Sequence, residues 1–205
     1  VPITTYAELR AAVQTWNPHS DIPAVVDDLI DLAEARLSRD LRCRRMVISQ
    51  TGTLTAGDGT LSVPTDLVEV VELRSGSGTG ATTLAKRPLL DLQQRYLSIS
   101  NGEPEVFAID GGLFRFGPIP SSAYAYTLRY YQKIPALSAT NTTNWMISDA
   151  PDVYLFACMV EAERFLRNPE GVAAWSAQLA QAIESLVGSD RRGRWMGGPQ
   201  RIMAV

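Results

Sequence analysis

Lysine, histidine and cysteine are nearly missing from this chain. Its 205 residues hold one histidine, His19, two cysteines, Cys43 and Cys158, and two lysines, Lys86 and Lys133. Two cysteines are too few for a disulfide framework or a thiolate metal cluster. Both fall in helical patterns, where free cysteine behaves as a small buried hydrophobe. A single histidine beside Pro18, with no second ligand at useful spacing, reads as a turn residue. No apolar run reaches membrane-spanning length and no basic-then-apolar leader opens the sequence, so a soluble, cytosol-assembled protein without membrane contact is expected. Gly76-Ser77-Gly78-Thr79-Gly80 lacks the spacing of a phosphate loop, because Lys86 comes too late, and reads as a loop between strands. There is no GxSxG elbow and no Ser-His-Asp set. No catalytic residue, metal site or cofactor is expected.

With lysine scarce, positive charge is almost all arginine, whose planar fork suits bidentate interface pairs. The net charge of −3 conceals an asymmetry. Residues 188–205, GSDRRGRWMGGPQRIMAV, carry Arg191, Arg192, Arg194 and Arg201 against Asp190, a net +3, so residues 1–187 carry −6. An acidic main body does not favour tight sequence-specific DNA binding. The terminal stretch also holds Trp195, Met196, Ile202 and Met203, while Gly193, Gly197, Gly198 and Pro199 work against regular structure. Two readings stand: a frayed terminus, or an extended arm that becomes ordered by lying on a partner. Trp195 and the Ile202-Met203 pair, which such a tail cannot bury alone, favour the arm.

The chain between reads as helix, strand, helix. Thr5 to Glu8 has the form of a capping box ahead of Leu9, Ala12, Val13 and Trp16. A second helix starts near Ser20 or Asp21, with Pro23 in its first turn, and repeats Ile22, Val25, Val26, Leu29, Ile30, Ala33, Leu37 and Leu41 at helical spacing. Its other face carries Asp27, Asp28, Asp31 and Glu34, then Arg36, Arg39, Arg42, Arg44 and Arg45. From Val47 the pattern alternates. Residues 47–55 and 60–63 read as a hairpin about Gly57-Asp58-Gly59, with further strands at 68–73, 106–109, 113–116 and 124–131. Pro88–Tyr96 reads as a helical insertion and 136–148 as a polar loop. Helices return at Ala150-Pro151 and at Asn168-Pro169, the last stopping at Gly188.

The expected fold is therefore α+β: a helical bundle formed by N- and C-terminal helices, with an inserted antiparallel β domain and an extended C-terminal arm. Its parts are residues 1–46 (N-terminal helices), 47–135 (β domain), 136–187 (loop and C-terminal helices) and 188–205 (arm). Two clusters on the second helix have double readings. Asp27, Asp31 and Glu34, at i, i+4 and i+7, are a solvated face or a divalent-metal site. Arg36, Arg39, Arg42, Arg44 and Arg45 either close a helix C-terminus and complement its dipole, or contact acidic neighbours or nucleic acid. No aromatic lies between residues 17 and 95 to support base stacking.

ITTYAELRAAVQTW, IPAVVDDLIDLAEARLSRDLRCRRM, LSVPTDLVEVVELR, YTLRYYQKIPALSATNTTNWMISDAPDVYLFACMVEAERFL and DRRGRWMGGPQR, in that order along the whole chain, resemble tailed-bacteriophage head-to-tail adaptor proteins. LAEARLSRDLR and the NW…APDVYLF stretch are the most distinctive. The resemblance implies a structural virion protein of the neck, assembled in the host cytoplasm, with about twelve copies in a ring beneath the portal. It implies that the helical bundle meets the portal ring, that the β domain meets the downstream tail or nozzle protein, and that genomic DNA passes through the lumen without specific binding. The arm (Arg191, Arg192, Arg194, Trp195, Met196, Arg201, Ile202, Met203) would reach onto portal or neighbouring adaptor subunits, and Arg36, Arg39, Arg42, Arg44 and Arg45 are candidates for the subunit interface. A tail-completion protein lower in the tail and a nucleic-acid-binding packaging accessory are the alternatives.

Overall fold

The computed structural model describes residues 2–76, 78–96 and 101–195. In chain order these form α1 (Tyr6–Trp16), α2 (Ile22–Asp40), β1 (Val47–Leu54), β2 (Thr60–Ser62), β3 (Leu67–Ser75), β4 (Thr82–Thr83) and β5 (Ala85–Lys86). Then come α3 (Leu89–Tyr96), β6 (Val106–Asp110), β7 (Leu113–Gly117), β8 (Tyr124–Gln132), α4 (Trp145–Asp149), α5 (Pro151–Phe165) and α6 (Pro169–Trp195). The fold is α+β. Two compact units divide it: Val1–Arg45 with Ile134–Val205, and Met46–Lys133.

In the helical unit, α5 is the central element. Nine of its fifteen residues are buried, because α1, α2, α4 and α6 all pack on it. The helices start where side chains satisfy their free N–H groups. Thr5 Oγ accepts from the Glu8 N–H, and Glu8 Oε2 accepts from the Thr4 and Thr5 N–H groups, completing the expected capping box. Asn168 Oδ1 accepts from the Gly171 N–H at the start of α6. On α2, Ile22, Val26, Leu29, Ile30, Ala33 and Leu37 form the buried stripe that periodicity predicts, each of the larger aliphatic side chains contributing about 1.5–3 kcal/mol by leaving water.

Three features of this unit differ from the pattern. Within 136–148, expected to be a loop, the last residues enter α4, where Asn144 Oδ1 accepts from the Ile147 N–H at 3.0 Å and Met146 and Ile147 are buried. Leu41 breaks α2 with an extended backbone (ψ 141°), so Arg42, Arg44 and Arg45 lie past the helix and not on its last turn. And α6 does not stop at Gly188 but continues to Trp195.

The second unit is a pair of four-stranded sheets, ordered β1-β8-β3-β4 and β2-β7-β6-β5. Leu54, Leu73, Tyr126, Leu128 and Tyr130 from the first sheet share one buried cluster with Phe107, Phe114 and Phe116 from the second. That makes a sandwich. The hairpin expected about Gly57-Asp58-Gly59 is not formed: β1 pairs with β8 and β2 with β7, so the chain crosses between sheets there. Leu54 and Leu61 both pack on the shared core, and crossing lets them do so from opposite sheets. The β6–β7 hairpin is formed as its sequence predicts, with Gly111 and Gly112 at φ 56° and 77°, a turn that other residues adopt only at a cost. The named strands pair antiparallel except for the two-residue β5–β6 contact. On β6, α3 buries Leu92 against Val106 and Ala108.

Candidate docking surfaces

Four of the five arginines between residues 36 and 45 are occupied within the helical unit. Arg36 Nη2 lies 2.7 Å from Glu161 Oε1, tying α2 to α5 with both side chains largely buried. Arg42 Nη1 donates to the carbonyls of Ser38 and Arg39 at 3.2 and 3.0 Å, closing the C-terminus of α2. Arg45 Nη2 lies 2.6 Å from Asp149 Oδ2 at the end of α4. Arg39 is exposed.

Arg44 makes the most elaborate contact. Its backbone N–H donates to Asp190 Oδ2 at 3.2 Å, its Nε to Asp190 Oδ1 at 2.9 Å, and its Nη1 to the Gly193 carbonyl at 3.2 Å. The Asp190 side chain is 11% exposed, so a nearly buried carboxylate is met by a fork of donors. A Cβ on Gly193 would sit 2.3 Å from Arg44 Nη2. Glycine there admits the guanidinium, which in turn caps a last-turn carbonyl of α6. This clasp is why α6 outruns its glycine at 188. Beside it lies a cleft of about 480 Å³ lined by Cys43, Arg45, Trp145, Asp149, Leu186 and Ser189.

The clasp reassigns part of the expected arm. Arg191 and Arg192 stand exposed on α6, and Arg194 and Trp195 fall in its last turn. Met196, Arg201, Ile202 and Met203 lie outside the described residues.

The acidic trio on α2 does not share one face. Asp27 pairs with Arg10 Nε at 2.5 Å and accepts from the Tyr6 hydroxyl at 2.8 Å; burial, then Asp27, push that phenol up to about 12. Asp31 is exposed, whereas Glu34 is buried. Glu34 was expected on the solvated face; the return of the chain after β8 draws it inward. Glu34 Oε1 accepts from the Leu137 N–H at 2.8 Å and from the Tyr154 hydroxyl, while Ser38, one turn on, accepts from the Ile134 N–H at 3.1 Å. Two side chains of α2 thus satisfy the backbone of residues 134–137. Burial raises the Glu34 carboxyl above its ordinary range, against the pull of the Leu137 and Tyr154 donors. Burial first, then the neighbouring Glu34, raise the Tyr154 phenol, and burial raises the Cys158 thiol. A thiol so raised is inert.

Among the described residues no group of histidine, cysteine and carboxylate side chains could hold a metal ion, and no helix is long and apolar enough to cross a membrane. His19 sits in the α1–α2 turn, its Nδ1 accepting from the Asp21 N–H at 3.3 Å. The described polar clusters hold elements together, and the prominent geometry is that of packing and clasping. Over residues 4–203 the chain matches the model of the SU10 adaptor protein family, and it belongs to that family of phage head-to-tail adaptors. No curated protein matches the chain individually. Membership makes it a phage adaptor, implies a structural rather than catalytic role, and implies partners on the portal and tail sides at the virion neck.

Proposed function

We propose that the chain forms a closed ring of about twelve copies beneath the portal, joining capsid to tail and continuing the DNA conduit. The helical unit docks on the portal ring and on neighbouring copies, and the β unit faces the downstream tail component. Residues 188–205 reach onto portal or neighbour. Arg191, Arg192 and Arg194 pair carboxylates there, Trp195 anchors, and Met196, Arg201, Ile202 and Met203 extend the contact. The acidic balance of residues 1–187 suits a lumen along which DNA slides without being held. The observation that carries this reading is the family match along nearly the whole chain. The intrachain use of Arg36, Arg42, Arg44 and Arg45 leaves Arg39 as the more available interface candidate of that series and weighs against a DNA-binding accessory.

Imaging and mass determination of the purified chain, alone and mixed with its cognate portal, test the proposal. A ring that forms on the portal is the expected result; no association at moderate salt would place the chain lower in the tail. Truncation after Trp195, which spares the Arg44 clasp, should leave a folded chain with weakened portal binding. Unchanged assembly of the truncated chain would remove the role given to residues 196–205.

A further inference from the structure

The cleft beside the Arg44 clasp, about 480 Å³ in volume, has two walls. One is α6, where Leu186 and Ser189, three positions apart, share a helix face. The other carries Trp145 and Asp149, one turn apart on α4 and so about 6 Å from each other along the axis. The charges of the cleft are already matched: Arg44 faces Asp190, and Arg45 faces Asp149. Guanidiniums so engaged do not select a phosphate or another anion. What the cleft offers is the apolar surface of Trp145 and Leu186, both partly buried, beside an Asp149 side chain that is still 34% exposed.

The chain that follows α6 is long enough to return here. Trp195 ends the helix about 9 Å beyond Ser189 and about 13 Å beyond Leu186. Met196-Gly197-Gly198-Pro199 then supplies two glycines and a proline, residues that permit a tight reversal. From Pro199, an extended run at about 3.3 Å per residue carries Ile202 back about 10 Å and Met203 about 13 Å. Those distances bring them level with Ser189 and Leu186. Alternate side chains of such a run point to opposite sides. Arg201 and Met203 therefore share a side, about 7 Å apart, which matches the spacing of Asp149 and Trp145; Ile202 faces the other wall.

We propose that in the unassembled chain residues 199–203 fold back along α6 into this cleft, with Met203 on the Trp145 ring, Ile202 on Leu186 and Arg201 at Asp149. A thioether on an indole edge is a favourable contact, and a carboxylate has acceptor sites for a second guanidinium. The occupant is the chain's own segment because a tether this short holds it at millimolar effective concentration, above that of a second copy in dilute solution. Portal or neighbour must then draw the segment out before the arm contacts given above form, so the parked fraction lowers the apparent affinity for that partner. The release step rests on the adaptor reading; the fold-back does not.

A nitroxide on Ala204→Cys tests the fold-back in the full chain, since both native cysteines are buried and escape labelling. An unpaired aspartate does not enter an apolar cleft, so broadening at Trp145, Leu186 and Ser189 should be at least about twofold stronger than in a labelled chain carrying Ile202→Asp and Met203→Asp. Equal broadening in the two overturns the proposal. So does broadening passed from a labelled chain to a separate isotope-enriched one, which would assign the cleft to a second copy. For the release, a disulfide joining Ser189→Cys to Ile202→Cys should weaken portal binding at least about tenfold, and reduction should restore it. Equal portal binding by the locked and reduced forms overturns the release. A native chain that does not bind portal sinks the adaptor reading, while the nitroxide comparison still decides the fold-back.

Discussion

Removing one oxygen atom tests the buried anchor of the helical unit. Tyr154 is fully buried and Glu34 is 6% exposed; the Tyr154 hydroxyl is one of two donors that Glu34 Oε1 receives, the Leu137 N–H being the other. Tyr154→Phe keeps the ring, so no cavity term is added. It leaves a buried carboxylate with a single donor, and the loss of a hydrogen bond to a charged group is worth about 1.5–3 kcal/mol. The pH dependence follows from the raised carboxyl of Glu34. The native state binds that proton more tightly than the unfolded chain, so the stability associated with it is fully present below the unfolded carboxylate value and declines as pH rises to the native one. The Tyr154 bond holds the native value down, so Tyr154→Phe raises it further and deepens the decline. The destabilisation should therefore be larger at pH 7 than at pH 5, and Glu34→Gln should abolish the difference. Denaturant unfolding followed by tryptophan fluorescence measures this cleanly, because Trp16, Trp145, Trp175 and Trp195 all belong to the helical unit. A change below about 0.5 kcal/mol at pH 7, or one equal at both pH values, would refute the argument.

Arg44→Ala should speed hydrogen exchange through residues 188–193 about tenfold, since it removes the side-chain donors to Asp190 and Gly193 that hold the end of α6. Gly193→Ala should do the same by displacing the guanidinium, and unaltered exchange in both would show that the clasp does not support the helix. Phe114→Ala, at a fully buried position in the sandwich, should cost about 3–5 kcal/mol. Its loss should appear in the far-ultraviolet signal of the β unit while the tryptophan transition stays in place; a shifted tryptophan transition would mean that the two units unfold as one.

What could be read in advance was whatever local chemistry decides. The stripe of α2, the Thr5–Glu8 box, the Asn168 cap and the Asp110–Leu113 hairpin each depend on residues within a few positions of one another. Glu34 shows the limit. Its spacing from Asp27 and Asp31 predicts one solvated face, but a segment a hundred residues later supplies the N–H that draws it inward, and no local pattern encodes that. The misassigned hairpin at Gly57–Gly59 failed similarly: the turn signal was sound, but β1 and β2 found longer-range partners in β8 and β7. Gly188 misled for a third reason. Glycine disfavours a helix by about 1 kcal/mol, a margin that the Arg44 clasp offsets from 146 positions away. Asn144 is a local cap signal for α4, but it stands in a run of polar residues whose composition is that of a loop.

The chain enters the β unit at Met46 and leaves it at Lys133, so that unit is complete while most of the helical one is still to be made. During synthesis the sandwich can close on its own strands, whereas α1 and α2 must wait for α5 before their apolar stripes are covered. The clasp on Asp190 becomes available only after α1, α2, α4 and α5 have been made. Chain order thus delays the completed helical unit until Asp190 has been made, and nascent or broken chains that stop short of it cannot supply that unit to a growing particle.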